Sequence, residues 1–305
     1  ESSLVSFILW LGTKPNGLFR LKETKDGNFS VKSFTKNASR YSINSNSIYA
    51  IKEDRHGRIL LGTFMGGLNI IKNPWSENPK FINSNNDIVQ FPSQAKCIHD
   101  MLLSPSGTLL LATNDGLFTY NIDRNPQKIR FLQNKRIPSN PKSISNNEVM
   151  ALLQSRKGTI YAATYGGGLN IIEKGNLHAN DLKFSTLTTD NGMMSDVILN
   201  MCEDAQGMIW LVSEHCLMKY NPQKESFTNY SESLFKGDFS FSEVKPLNVS
   251  ESKTMLFGTT QGILPINEQT VRISNFKPKI LFDTPPHIEL SPKEKSLSIS
   301  FAAID

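Results

Sequence analysis

The sequence predicts an all-β fold, a β-propeller with six visible repeats of about 50 residues and four strands each. Three observations predict it. A core with small residues recurs: LWLGTKPNGLFRL from Leu9, LLGTFMGGLNII from Leu60, LLATNDGLFTYNI from Leu110, YAATYGGGLNII from Tyr161, WLVSEHCLMKYN from Trp210 and LFGTTQGILPIN from Leu256. A turn tetrapeptide keeps the same beat. DRHG, SPSG, SRKG and DAQG end at Gly57, Gly107, Gly158 and Gly207, at intervals of 50, 51 and 49 residues. A polar first residue and a final glycine suit a type I turn. Finally, no segment shows a 3.6-residue apolar period over helix length.

Within one period the elements follow in a fixed order. Strand A is short and mostly apolar: SNSIYAIKED, AKCIHDMLLS, NNEVMALLQS and SDVILNMCED. The D-x-x-G-type turn leads to strand B, the LLGT piece. A short glycine turn leads to strand C, the GLNII piece. Strand D is built around Phe: VKSFTK, KIRFLQ, LKFSTLT and ESFTNYS. A polar loop returns to the next strand A. One such sheet cannot bury both of its faces, so neighbours must stack.

The stretch TYGGGLNI, from Thr164 to Ile171, superficially suggests a phosphate-binding loop. A Walker loop needs Lys and Ser or Thr after its last glycine, and here Leu169 and Asn170 follow Gly168. A dinucleotide fingerprint opens a helix, whereas Ile171 and Ile172 favour a strand. TYGGG is therefore read as the B–C hairpin turn of the fourth blade, its glycines supplying positive φ. Cys216 stands where other blades place glycine, which predicts a different turn in blade five. The pair ending strand B is small throughout: Gly12-Thr13, Gly62-Thr63, Ala112-Thr113, Ala163-Thr164, Val212-Ser213 and Gly258-Thr259. Repetition in every blade points to architecture: little room near the axis of wedge-shaped blades.

Both ends depart from the period. ESSLVSF matches strand A, yet ILWLGT follows at once without a turn. A strand cannot reverse without one, so a break is expected between Phe7 and Ile8. From Lys277 the period stops. Residues 1–276 read as the propeller, and 277–305 as a linker around Pro285-Pro286 followed by strands HIEL and SLSISFAAI about the turn SPKEK.

The composition is that of an ordinary globular protein, 38% hydrophobic and 20% charged over 305 residues. No apolar run approaches a membrane span, and ESSLVSFILW lacks the marks of a signal peptide. The net charge of +5 comes from scattered lysines and arginines, not the concentrated stripe of a nucleic-acid binder. Cys97, Cys202 and Cys216 have no zinc-type spacing and lie among apolar residues, which predicts buried free thiols.

The repeats resemble the two-component regulator propeller repeat, with its LWIGT-x-x-GGL core and preceding E-D-x-x-G turn. Glu53-Asp54-Arg55-His56-Gly57 and Glu203-Asp204-Ala205-Gln206-Gly207 match the turn, and Leu9 to Leu18 and Leu60 to Leu68 match the core. The tail, LSPKEKSLSISFAAID, resembles the start of the immunoglobulin-like β-sandwich that follows such propellers. The resemblance implies the periplasmic sensor region of a hybrid two-component system of polysaccharide-degrading gut bacteria. Such proteins carry two seven-bladed propellers, an immunoglobulin-like domain, a membrane helix and a cytoplasmic histidine kinase with receiver and DNA-binding parts. They form homodimers and sense oligosaccharides to switch on degradation genes. This chain would hold most of the second propeller, would have no catalytic residues or cofactor, and would be membrane-anchored only through parts outside it.

Loops on a rigid scaffold carry recognition. The B–C and D–A loops share one face of an up-and-down propeller and form the candidate ligand face. Its B–C turns offer Lys14, Asn16, Phe64, Met65, Asn114, Asp115, Tyr165, His215 and Gln261. Its D–A loops offer Arg40, Tyr41, Lys135, Arg136, Asn146 and Asn191. The chosen candidates are Lys14, Arg40, Tyr41, Phe64, Lys135, Arg136, Tyr165 and His215: aromatic faces suit sugar rings, and basic groups suit carboxylate or sulfate. An anionic oligosaccharide fits that set. No His or carboxylate pair has metal-ligand spacing. Two alternatives remain open. A propeller hydrolase needs two carboxylates about 5–9 Å apart, for which Asp115 and Glu214 are the loop candidates. A WD-type scaffold would carry G-H and W-D signatures, which the sequence lacks.

Overall fold

The computed structural model describes residues 8–24, 26–122, 125, 129–235, 239–249, 252–267, 279–282 and 301–304. Two compact units divide the chain, Glu1–Glu268 and Gln269–Asp305. Among the described residues there is no α-helix, only short 3-10 turns between strands.

The first unit is a β-propeller of six radial sheets. Blade 1 holds β1 (Ile8–Gly12), β2 (Leu18–Glu23) and β3 (Phe29–Phe34). Blade 2 holds β4 (Ile48–Glu53), β5 (Ile59–Thr63), β6 (Gly67–Ile71) and β7 (Phe81–Ile82). Blade 3 holds β8 (Ile98–Leu103), β9 (Thr108–Thr113), β10 (Gly116–Asn121) and β11 (Leu132–Asn134). In blade 4 are β12 (Val149–Gln154), β13 (Ile160–Thr164), β14 (Leu169–Ile172) and β15 (Phe184–Leu187). In blade 5 are β16 (Asn200–Glu203), β17 (Ile209–Val212), β18 (Cys216–Asn221) and β19 (Ser226–Ser231). Blade 6 has β20 (Leu247–Val249), β21 (Thr254–Thr259) and β22 (Gly262–Asn267). Every sheet pairs its strands antiparallel in chain order, as the A–B–C–D reading requires. The expected first inner strand and the break at Phe7–Ile8 fall on residues 1–7, outside the described residues.

Strand B reads as a continuous apolar run because both of its faces are buried. In β9, Leu109 and Leu111 join a core shared with blade 2, while Leu110 and Ala112 join one shared with blade 4. The period-two alternation of a strand thus sends successive residues into two different inter-blade cores. The end blades are different. Leu9, Leu11, Phe29 and Val31 of blade 1, and Leu247 and Ile263 of blade 6, are exposed.

The repeated small pair has two roles. A Cβ at Gly62 would stand 2.7 Å from Ile98 Cγ2 of the next blade, so the small residue lets inner strands approach. The threonine closes the hairpin: Thr13, Thr63, Thr113, Thr164 and Thr259 each donate Oγ1 to the carbonyl that opens strand C, at 2.7–3.1 Å. In blade 5, Ser213 donates instead to Ser195 Oγ at 3.1 Å. That turn has two central residues, as in blade 3, with Ser213 N–H donating to the Cys216 carbonyl. Cys216 needs no left-handed backbone, which is how it replaces glycine.

The asparagine of GLNI is structural as well. Asn170 is buried, receives the Ser145 N–H at 3.0 Å and donates to Ser145 Oγ at 2.8 Å. Asn69 donates to Asn44 Oδ1 at 2.7 Å and receives from Asn83 Nδ2 at 2.9 Å. Each pins its D–A loop to strand C. All three cysteines are buried and outside any disulfide among the described residues.

In the second unit β23 (Lys279–Phe282) pairs antiparallel with β24 (Phe301–Ile304). β24 lies within the expected strand SLSISFAAI. β23 lies where the sequence suggested linker, because alternation over four residues is too short to register. The expected strand at 287–290 falls outside the described residues. Among the described residues, no helix is long and apolar enough to cross a membrane.

Candidate functional site

The inner strands of blades 2 to 5, with Gly12, Thr13 and Lys14 of blade 1 and residues 242–245 of blade 6, surround a channel of about 710 Å³. Its wall follows from a repeated irregularity. The A–B ladders of blades 2, 3 and 4 slip by one residue between Ile48 and Ala50, Ile98 and Asp100, and Val149 and Ala151. A bulge of this kind re-aims one side chain. Here it turns Tyr49, His99 and Met150 into the channel, and Leu199 lines the same level from blade 5.

The mouth on the B–C side is a polar and aromatic cluster. Lys14 Nζ lies 3.3 Å from the centre of the Tyr49 ring and 2.5 Å from Glu243 Oε1. This pair joins blade 1 to blade 6. Phe64 stacks on Tyr49 at 5.7 Å, and His99 meets the Tyr49 ring edge-on at 6.1 Å. Both ring nitrogens of His99 are buried and have no hydrogen-bond partner among the described residues. Burial holds this imidazole below its ordinary pKa; Glu148 and Glu243 oppose the shift, and Lys14 adds to it.

Deeper in, Lys52 projects from β4, three residues beyond Tyr49, roughly 10 Å further along the strand. Asp100 accepts the Met101 N–H at 2.8 Å and, across the blade boundary, the Leu152 N–H at 3.0 Å. Asn200 has the matching place in blade 5 and donates to the Glu243 carbonyl of blade 6 at 2.9 Å. These two side chains tie neighbouring inner strands together. Lys245 Nζ is 3.9 Å from Asp100 Oδ2. Burial and the neighbouring Lys245 hold Lys52 below the usual lysine range, with Asp100 opposing.

Among the sequence-predicted residues, the structure brings Lys14 and Phe64 together at the channel mouth. Tyr165 is part-exposed on its own turn and donates to Glu214 Oε1 at 3.3 Å; the Glu214 carboxylate raises its pKa. His215 is exposed on the same blade 5 turn as Glu214. Arg40 and Tyr41 are not at the mouth: Arg40 lies over Tyr41 and 3.8 Å from Asp87, beside a separate groove lined by Tyr41, Lys80 and Asp87. Lys135 pairs with Asp115 at 2.6 Å and lines another groove with Asn180 and Asp181. Arg136 is exposed beside it. Asp115 and Glu214, the carboxylates considered for hydrolysis, stand on blades 3 and 5 with blade 4 between them. Tyr49, Lys52, His99 and Lys245 were missed, because the reading looked to loops and these residues sit on or beside inner strands. Among the described residues no group of three or more His, Cys, Asp or Glu could hold a metal ion.

His99 gives a pH prediction. The unfolded chain protonates this imidazole near the ordinary value of about 6.5, and the folded protein only at lower pH. Below that value the unfolded state therefore binds the extra proton and stability falls; well above it the effect is absent. Urea unfolding at pH 7.5 and pH 5.5 is expected to show a larger acid loss in the native protein than in His99→Gln. Equal losses would rule out a buried, hard-to-protonate His99.

Residues 42–65 match the family model described as two component regulator propeller, so the chain carries that repeat. None of the curated proteins matches. Among solved structures, the chain is similar to the extracellular domain of the putative hybrid two component system BT4673 from B. thetaiotaomicron, at 18% identity and a TM-score of 0.66. That alignment covers 89% of this chain and 36% of the other. PorZ, a type-IX secretion system component of Porphyromonas gingivalis, aligns at 13% identity and a TM-score of 0.62, over 86% of this chain and 38% of PorZ. YCF48 from Cyanidioschyzon merolae aligns at 13% identity and a TM-score of 0.56, over 86% of this chain and 80% of that one. The chain thus spans little more than a third of the chains in the first two structures.

Proposed function

We propose that this propeller is an extracytoplasmic sensor module of a hybrid two-component system. It binds a glycan-derived oligosaccharide, and the bound state biases a cytoplasmic histidine kinase that controls polysaccharide-utilisation genes. The observation that carries this reading is the repeat itself, since residues 42–65 match the propeller described for two-component regulators. The fold shared with the BT4673 extracellular domain supports the same reading. The module works in the periplasm, as part of a homodimeric inner-membrane protein. It performs no chemistry: the side chains around the channel bind, and the differential affinity of the ligand for two arrangements of the whole protein supplies the signal.

A thermal-shift titration tests the reading. A cognate oligosaccharide at about a hundred times its Kd stabilises the native state by about 2.7 kcal/mol, a rise in Tm of roughly 5–10 °C for a domain of this size. The sugar is expected to be recovered intact. Release of shorter products would replace the sensor with a glycosidase or lyase, and no shift with any glycan would remove the oligosaccharide from the proposal.

A further inference from the structure

We propose that the axial channel is a binding site for a single carboxylate, carried by an acidic sugar and held between Lys52 and Lys245. This deepens the sensor reading and rests on it for the sugar, though not for the anion.

Two features of the channel point to it. The first is charge. Among the described lining residues, Lys14, Lys52 and Lys245 face two carboxylates, Asp100 and Glu243. Glu243 is taken by Lys14 at 2.5 Å. Asp100 uses both oxygens on backbone N–H groups and has Lys245 at 3.9 Å. Lys52 makes no ion pair among the described residues. Lys52 is left over as a half-buried positive charge, next to which a monoanion is favoured over a neutral group. The second is size: about 710 Å³ falls within the range of sites that enclose a small ligand. Lys52 and Lys245 come from blades 2 and 6, so one carboxylate between them would tie an early blade to the last one.

The test is isothermal titration of the protein with glucuronate and galacturonate disaccharides, each beside its neutral glucose or galactose counterpart, and with sodium sulfate. Lys52→Met and Lys245→Met keep the aliphatic stem and remove the charge. Lys157→Met, on the A–B turn of blade 4, is the control, and urea unfolding verifies that each variant is folded. A uronate is expected to bind where its neutral counterpart does not, and each channel variant is expected to weaken it by about ten- to hundredfold, with Lys157→Met unchanged. Neutral sugars binding as tightly as uronates would overturn the carboxylate site and leave the sensor reading standing. So would uronate binding that neither lysine variant affects. Sulfate binding that depends on Lys52, with no disaccharide bound, would keep the anion site and overturn the oligosaccharide. No binding by any of these probes would overturn the site.

Discussion

Alanine at position 168 is expected to destabilise the protein by roughly 3–5 kcal/mol, while alanine at position 166 in the same turn destabilises it by only about 1–2 kcal/mol. Both glycines have left-handed backbone, with φ of +87° at Gly166 and +74° at Gly168. The conformational penalty is therefore shared. The surroundings are not. A Cβ on Gly166 would meet only Asn146 Nδ2, at 3.8 Å, an ordinary contact. A Cβ on Gly168 would press into the carbonyl oxygen of Leu187. Leu187 pairs with Leu169 in the β14–β15 ladder, so relieving the clash moves backbone rather than a free side chain. The displaced strand also carries Phe184, buried in the core between blades 3 and 4. Thermal unfolding is expected to place Gly168→Ala roughly 10 °C below the native protein and Gly166→Ala only a few degrees below. Equal losses would mean that the turn needs glycine for φ alone.

This contrast also marks what the sequence made legible. Turn glycines, strand alternation and the 50-residue beat are local signals, and they placed strands A, B and C in blades 2 to 5 and strand D in blades 1, 3, 4 and 5, including the B–C turn TYGGG. The reason for Gly168 is not local: it lies in the approach of strand D, 19 residues further along the chain. The site was less legible still. Loops usually recognise ligands, and of the loop candidates Lys14 lines the channel and Phe64 stacks on Tyr49 at its mouth. Arg40, Tyr41, Lys135 and Arg136 share the same kind of loop but lie at outer grooves, since loop position says nothing about distance from the axis. Tyr49 and His99 are aimed inward by bulges, and a bulge leaves no mark in an apolar strand read by alternation. A column reading would have found them. The residue five before the start of each D-x-x-G-type turn is Tyr49, His99, Met150 or Leu199, and two polar aromatics in an otherwise apolar strand are the available signal. Lys245 carries no such mark, because blade 6 has no D-x-x-G turn to set its register.

Those turns have a structural core of their own, and its strongest case is Asp204. Replacing it with alanine is expected to destabilise the protein by roughly 3–5 kcal/mol, comparable to Gly168→Ala. Its carboxylate is buried. One oxygen receives the N–H groups of Gln206 at 3.0 Å and Met208 at 2.8 Å, holding the turn; the other receives Trp210 Nε1 at 2.9 Å. Trp210 is fully buried, stacked on Tyr230 at 5.4 Å and against Phe257 of blade 6 at 5.6 Å. Asp204 therefore fixes both a turn and the largest side chain between the last two blades. Alanine would strand three donors, one of them an indole N–H sealed from water, and a buried unpaired donor costs more than the bond it loses. Serine should recover part of the loss, since Ser104 does the turn half of this work in blade 3 by receiving the Thr108 N–H at 3.0 Å. A double-mutant cycle isolates the rest. In a Trp210→Phe background no indole N–H remains to be stranded, so Asp204→Ala is expected to cost about 1–2 kcal/mol less there. Additive losses would show that Asp204 acts on the turn alone and that packing, without the hydrogen bond, holds the tryptophan between the blades.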